Sequence, residues 1–184
     1  MILCHSKEYI FFHAPKSGGT SVSVNLAKHT GPQDVVTAHE YIQRADHDFN
    51  QAKAKNSAGY STHTLPYPTE YLSISTKRNP WDQVVSNFFW YSHKNFEEFV
   101  TKELFIDCRP FWGGMDFYLD FENLEESYKE LCKKIDIPYE RLPRTKTKIR
   151  PKGAYQSYYN DETRAIIESY YKYAIKEFNY KFDG

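Results

Sequence analysis

The segment YIFFHAPKSGGTSVSVNLAKH, residues 9–29, constrains the chain more than any other. Residues 9–13 are aromatic and β-branched and end at a Pro/Gly cluster, so a short buried strand is expected there. Residues 20–28 place Val22 and Leu26 one turn apart, with Thr20 or Ser21 able to cap, so a helix is expected next. Further strands and helices alternate downstream. YLSIST, 71–76, reads as a second central strand, and Asn79-Pro80 opens a helix whose apolar face is Val84, Val85, Phe88 and Phe89. Asn95 with Glu97-Glu98 opens another. A strand is expected at 116–121, a helix from Leu124 that stops before Pro138, and a last helix over 161–178. Short strands alternating with helices indicate a small α/β domain with a parallel sheet. The 184 residues fit a single domain, 1–184.

The glycine loop carries the chemistry. Between a strand and a helix, loop N–H groups and the helix N-terminus form a ready anion site. Gly18 and Gly19 let the backbone come close and take unusual φ values. Lys16 adds a mobile charge, and Ser17, Thr20 and Ser21 add hydroxyls. The lysine precedes the glycines, whereas the Walker A loop requires G-x-x-x-x-G-K-[ST]. An ordinary strand-to-helix turn with a capping threonine is the plainer alternative.

FFHAPKSGGTSV resembles the 5′-phosphosulfate loop of the sulfotransferases that use 3′-phosphoadenosine 5′-phosphosulfate (PAPS), a family that shows this lysine-first order. STKRNPWDQVVSNFFWY, 75–91, resembles the same family's 3′-phosphate motif, with Arg78 at the strand end and Ser86 eight residues on. A strand-end Arg grips phosphate bidentately, next to helix N–H donors. Convergence of Arg78 and Ser86 on one phosphate is implied by the resemblance. Gln83 stands where family members often carry Arg. FYLDFENLEES and the closing helical stretch are similar to later family segments, more weakly.

The resemblance implies a P-loop-like, three-layer fold with a central, mainly parallel sheet flanked by helices. It implies PAPS as donor co-substrate, no metal, and transfer of a sulfuryl group to an acceptor hydroxyl, expected to be on a carbohydrate. Lys16 would stabilise the leaving phosphate. His63, in YSTHTLPYP, resembles the family's catalytic base; His39 and Glu40 are the alternatives, and His13 is expected to shape the loop. Arg150 and Lys152, in a basic run with Lys146 and Lys148, either cover the 3′-phosphate or form a solvated loop. Trp81 is open to two roles, stacking on adenine or filling the core; Trp112 with Gly113-Gly114 is a candidate lining of the acceptor cleft.

Bulk composition narrows the rivals. The 24 basic and 24 acidic residues cancel, so no global field points to nucleic acid or an anionic membrane. No apolar run of about 18 residues is present and the start lacks a signal-peptide pattern, so a cytoplasmic enzyme is expected. Three widely spaced cysteines argue for a reducing compartment. Aromatics reach 17%, which serves either a Tyr-rich core or a groove with flat faces. Two other functions remain: a non-catalytic nucleotide- or glycan-binding module with a degenerate loop, and a small P-loop kinase.

Overall fold

A computed structural model describes residues 1–36, 68–102, 114–145, 150–151 and 153–183. In chain order the elements are β1 (Ile2–Cys4), β2 (Tyr9–Phe12), α1 (Gly19–Ala27), β3 (Val35–Val36), β4 (Leu72–Lys77), α2 (Pro80–Trp90), α3 (Phe96–Thr101), β5 (Phe117–Asp120), α4 (Leu124–Lys134), α5 (Asp161–Tyr170) and α6 (Lys172–Glu177). They gather into two compact units, Met1–Lys77 with Gly114–Thr145, and Arg78–Gly113 with Lys146–Gly184.

The first unit is a mixed α/β layer built on a five-stranded sheet in the order β3-β1-β2-β4-β5. β2 pairs parallel with β4, and β4 with β5. β1 pairs antiparallel with both β2 and β3, so four strands share one direction and β1 opposes them. The sheet is thus mainly parallel, as expected, with β1 the one antiparallel strand among the described residues. A turn over residues 5–8 joins β1 directly to β2, and a connection that short allows only antiparallel pairing. Asp34 secures that edge, accepting from the backbone N–H of His5 and of Gly31, each at 2.7 Å.

Both faces of β2 are buried, which fits its unbroken apolar run. Ile2, Tyr9, Phe11, Val22, Leu26 and Ile74 join Leu119, Tyr128 and Leu131 in one core. Buried Tyr9, Phe11 and Tyr128 take up part of the aromatic excess there. α4 stops at Lys134; Asp136 then turns left-handed (φ 52°), and Ile137 N–H reaches back to the Cys132 carbonyl at 3.0 Å, ahead of Pro138.

The second unit is helical. Asn79 caps α2, its side chain accepting from the N–H groups of Trp81 and Asp82, and Pro80 takes the first helical position. Asn95 caps α3 by accepting from Glu98 N–H. The helix expected over 161–178 is two helices interrupted at Tyr171. The Tyr170 and Tyr171 rings meet edge to face at 4.8 Å there, and aromatic side chains lose rotamer freedom against the preceding helical turn. Phe88, Phe96, Phe99 and Tyr159 form the unit's aromatic cluster, with centroid distances of 4.9–6.4 Å.

Candidate functional site

β2 delivers the chain into the glycine loop, and residues 15–18 form a turn before α1. Lys16 (φ 58°) and Gly18 (φ 80°) both adopt left-handed backbone. For Gly18 this is cheap; for Lys16 it costs on the order of 1–3 kcal/mol, a strain that concentrates at ligand-binding loops. Gly18 is itself the N-cap of α1, and no side chain caps that end, so neither Thr20 nor Ser21 serves the capping role expected of it. The reason is the start point: α1 begins at Gly19, which puts Thr20 and Ser21 inside the first turn, where their own backbone is already helical. The N–H groups of Ser21 and Val22 turn back onto the Gly18 carbonyl at 3.0 and 3.4 Å.

The remaining loop residues hold its shape. Ser17 is fully buried, and its hydroxyl donates to the Ala14 carbonyl at 2.8 Å. It also meets the Thr76 hydroxyl of β4 at 2.5 Å. A hydroxyl has one hydrogen, so Thr76 donates to Ser17 and the loop is tied to the central strand. Ser21 pairs with Thr145 at 2.9 Å. A Cβ on Gly19 would stand 2.4 Å from Cδ2 of His13, so the imidazole packs flat against the loop backbone. His13 is buried and shapes the loop, as expected.

In the second unit a buried arginine begins the other motif. Arg78 donates to Oδ2 of Asp82 from Nε at 2.8 Å and from Nη2 at 2.5 Å. Arg150 Nη1 donates to the other oxygen, Oδ1, and its Nη2 to the Gly153 carbonyl at 3.2 Å. One carboxylate therefore bridges two guanidinium groups. Burial alone would raise the Asp82 pKa, but the Arg78 charge and the bonds from Arg150 and Arg78 outweigh it and hold the carboxyl below its ordinary value. Ser86 lies one turn beyond Asp82 on the same face of α2 and is partly exposed. Tyr159, whose hydroxyl donates to the Trp81 carbonyl at 2.8 Å, is pushed well above the usual tyrosine range by burial and then by the Asp82 charge.

Arg78 and Arg150 are brought together; Asp82, which joins them, was not singled out in the sequence. The Arg78–Asp82 half of the contact was visible as an i,i+4 pair. Gln83 is fully buried, so that position is a packing site. Trp81 is 2% exposed and takes Phe182 edge-on at 5.5 Å, which places it in the core of its unit. A cleft of 550 Å³ in the same unit is lined by Trp81, Arg164, Ile175, Tyr180 and Phe182 among others, and by no other residue of the motifs. His63, His39, Glu40, Trp112, Lys146, Lys148 and Lys152 lie outside the described residues. Among the described residues no cluster of three His, Cys, Asp or Glu is placed to hold a metal, and no helix is long and apolar enough to cross a membrane.

A protein of Archaeoglobus fulgidus, described only as uncharacterized, is 35% identical to this chain over 86 residues, covering 38% of this chain and 72% of its own length. The chain belongs to one family with that archaeal protein. No protein-family model matches the chain, and no solved structure matches it significantly.

Proposed function

We propose that the chain is a PAPS-dependent sulfotransferase acting on an acceptor hydroxyl, of a carbohydrate in the first instance, on a P-loop-like fold in the cytoplasm. The observation that carries the reading is the loop itself: left-handed Lys16 and Gly18 lead into an α1 N-terminus without a side-chain cap. An ordinary turn gains nothing from a strained lysine, whereas an anion cradle gains a charge and aligned N–H groups.

In the reaction the acceptor oxygen bonds to sulfur as the bond from sulfur to the bridging phosphate oxygen breaks. The acceptor proton passes to a base, assigned to His63, with His39 and Glu40 as the alternatives. Lys16 and the 17–21 backbone neutralise the charge that gathers on the leaving 5′-phosphate, and Thr20 and Ser21 add hydroxyls to that shell. The resemblance gives the 3′-phosphate to Arg78 and Ser86, supplemented by Arg150 and Lys152. The logic is that of phosphoryl transfer, where position and electrostatics do most of the lowering of the barrier.

Calorimetric titration with 3′-phosphoadenosine 5′-phosphate (PAP), against ADP and without metal, tests the donor site. Micromolar binding that requires the 3′-phosphate and disappears in Arg78→Ala is the expected result. No binding, or ADP binding equally well and only with Mg²⁺, refutes it and favours a kinase or a plain turn. PAP binding without sulfuryl transfer from PAPS to any sugar, phenol or alcohol acceptor points to a non-catalytic nucleotide module.

A further inference from the structure

Two arginines converge on Asp82 although the chain as a whole carries no net charge. Arg78 and Arg150 are 72 residues apart in sequence, and their side chains are 9% and 20% exposed. Left to themselves, two guanidinium groups repel, and each long side chain has roughly 2 kcal/mol of rotamer entropy to lose before it is held. The carboxylate removes both obstacles. Each of its oxygens takes one arginine, so its plane fixes where both forks stand.

The donor count then matters. Two guanidinium groups carry about ten N–H donors, whereas a carboxylate offers about four lone-pair sites. Arg78 and Arg150 give the carboxylate three donors and Arg150 gives a fourth to the Gly153 carbonyl; the two arginines and Asp82 sum to a charge of about +1, which suits a second oxoanion.

We infer that Asp82 is a positioning residue that sets the preference for a 3′-phosphorylated nucleotide, by holding Arg78 and Arg150 as one receptor for that phosphate. This rests on the donor reading above. It makes a prediction opposite in sign to simple electrostatics. Removing a negative charge beside an anion site strengthens anion binding if charge alone matters. Removing a bridge that places two arginines weakens it.

The test is calorimetric titration of wild type and Asp82→Asn with PAP and with adenosine 5′-phosphate, which differ only in the 3′-phosphate. The ratio of the two affinities is expected to fall at least tenfold in Asp82→Asn, while adenosine 5′-phosphate binding changes less than twofold. A purely structural role would weaken both ligands together and leave the ratio unmoved. A folded Asp82→Asn with an unchanged or larger ratio overturns the inference and leaves the sulfotransferase reading standing. A wild type that binds both ligands equally overturns that reading, and this inference with it. If Asp82→Asn does not fold by circular dichroism, Asp82→Glu, which keeps the charge but moves the carboxylate, takes its place: a fall in the ratio supports the bridge, and an unchanged ratio overturns it.

Discussion

Replacing Gly19 by Ala tests whether the loop is as tightly built as its geometry implies. Gly19 does not sit in left-handed backbone, so alanine meets no conformational barrier. The obstacle is space. The added methyl would lie 2.4 Å from Cδ2, 2.8 Å from Nε2 and 2.9 Å from Cγ of His13. That ring is 5% exposed and packs 6.4 Å, centroid to centroid, from Phe11, so it has little room to retreat. Overpacking of this order costs about 1–3 kcal/mol, which for a chain of this size lowers Tm by roughly 2–12 °C. The assay is thermal and urea unfolding followed by circular dichroism on a double-mutant cycle. His13→Ala removes the obstructing ring, and in that background Gly19→Ala should cost nothing or stabilise, since alanine favours helix over glycine by up to about 1 kcal/mol. The expected coupling is therefore about 1–4 kcal/mol. Strict additivity, within about 0.5 kcal/mol, would refute the claim that His13 packs against the loop backbone.

Two further outcomes follow from the ionisable groups. Asp82 has a depressed folded pKa, so it contributes stability that is complete above its unfolded value of 3.8 and lost as pH falls through the folded value. Wild type should lose urea resistance more steeply than Asp82→Asn below about pH 4; parallel pH profiles would show that the carboxylate is not held by the arginines. Burial raises the thiol pKa of Cys4 and of Cys132, so both stay protonated at neutral pH. In a Cys108→Ser background, a thiol reagent at pH 7 should label neither until the chain is unfolded; rapid native labelling would contradict their burial.

What the sequence discloses and what it hides follow from the range of the interactions. Asn79, Pro80 and Asn95 mark their helix starts correctly because capping is decided within four residues. β2, β4, β5 and α4 fall within a few residues of expectation because each has an apolar run or a periodic pattern long enough to stand out. β1 and β3 are three and two residues long and show no period at all. What holds them is Asp34, reaching His5 across 29 residues, and no local pattern announces that contact. The site divides the same way. The glycine loop is local and legible, whereas Arg150 reaches Asp82 across 68 residues and only folding reveals that the acid joins the two basic motifs.

The loop's internal bonds also bear on how it would work. Catalysis by a charged cradle is effective only if the donors are in place before charge develops, because reorganising them during the reaction raises the barrier again. A glycine-rich loop is the element least suited to that, since it has the most freedom to lose. Here three separate contacts remove that freedom. The buried Ser17 hydroxyl ties the turn to Ala14 and to Thr76, His13 closes against Gly19, and Gly18 comes within 2.7 Å, measured from an added Cβ, of the Leu124 side chain. Each engages a residue of the motif through a group that no ligand needs. The hydroxyl of Ser17 is accordingly a structural part of the loop, and Ser17→Ala should disturb ligand binding by loosening the turn. Ser17→Thr keeps the hydroxyl but forces a methyl into a fully buried position, so it should fail as a rescue, whereas a hydroxyl that touched the ligand from an open position would tolerate the exchange.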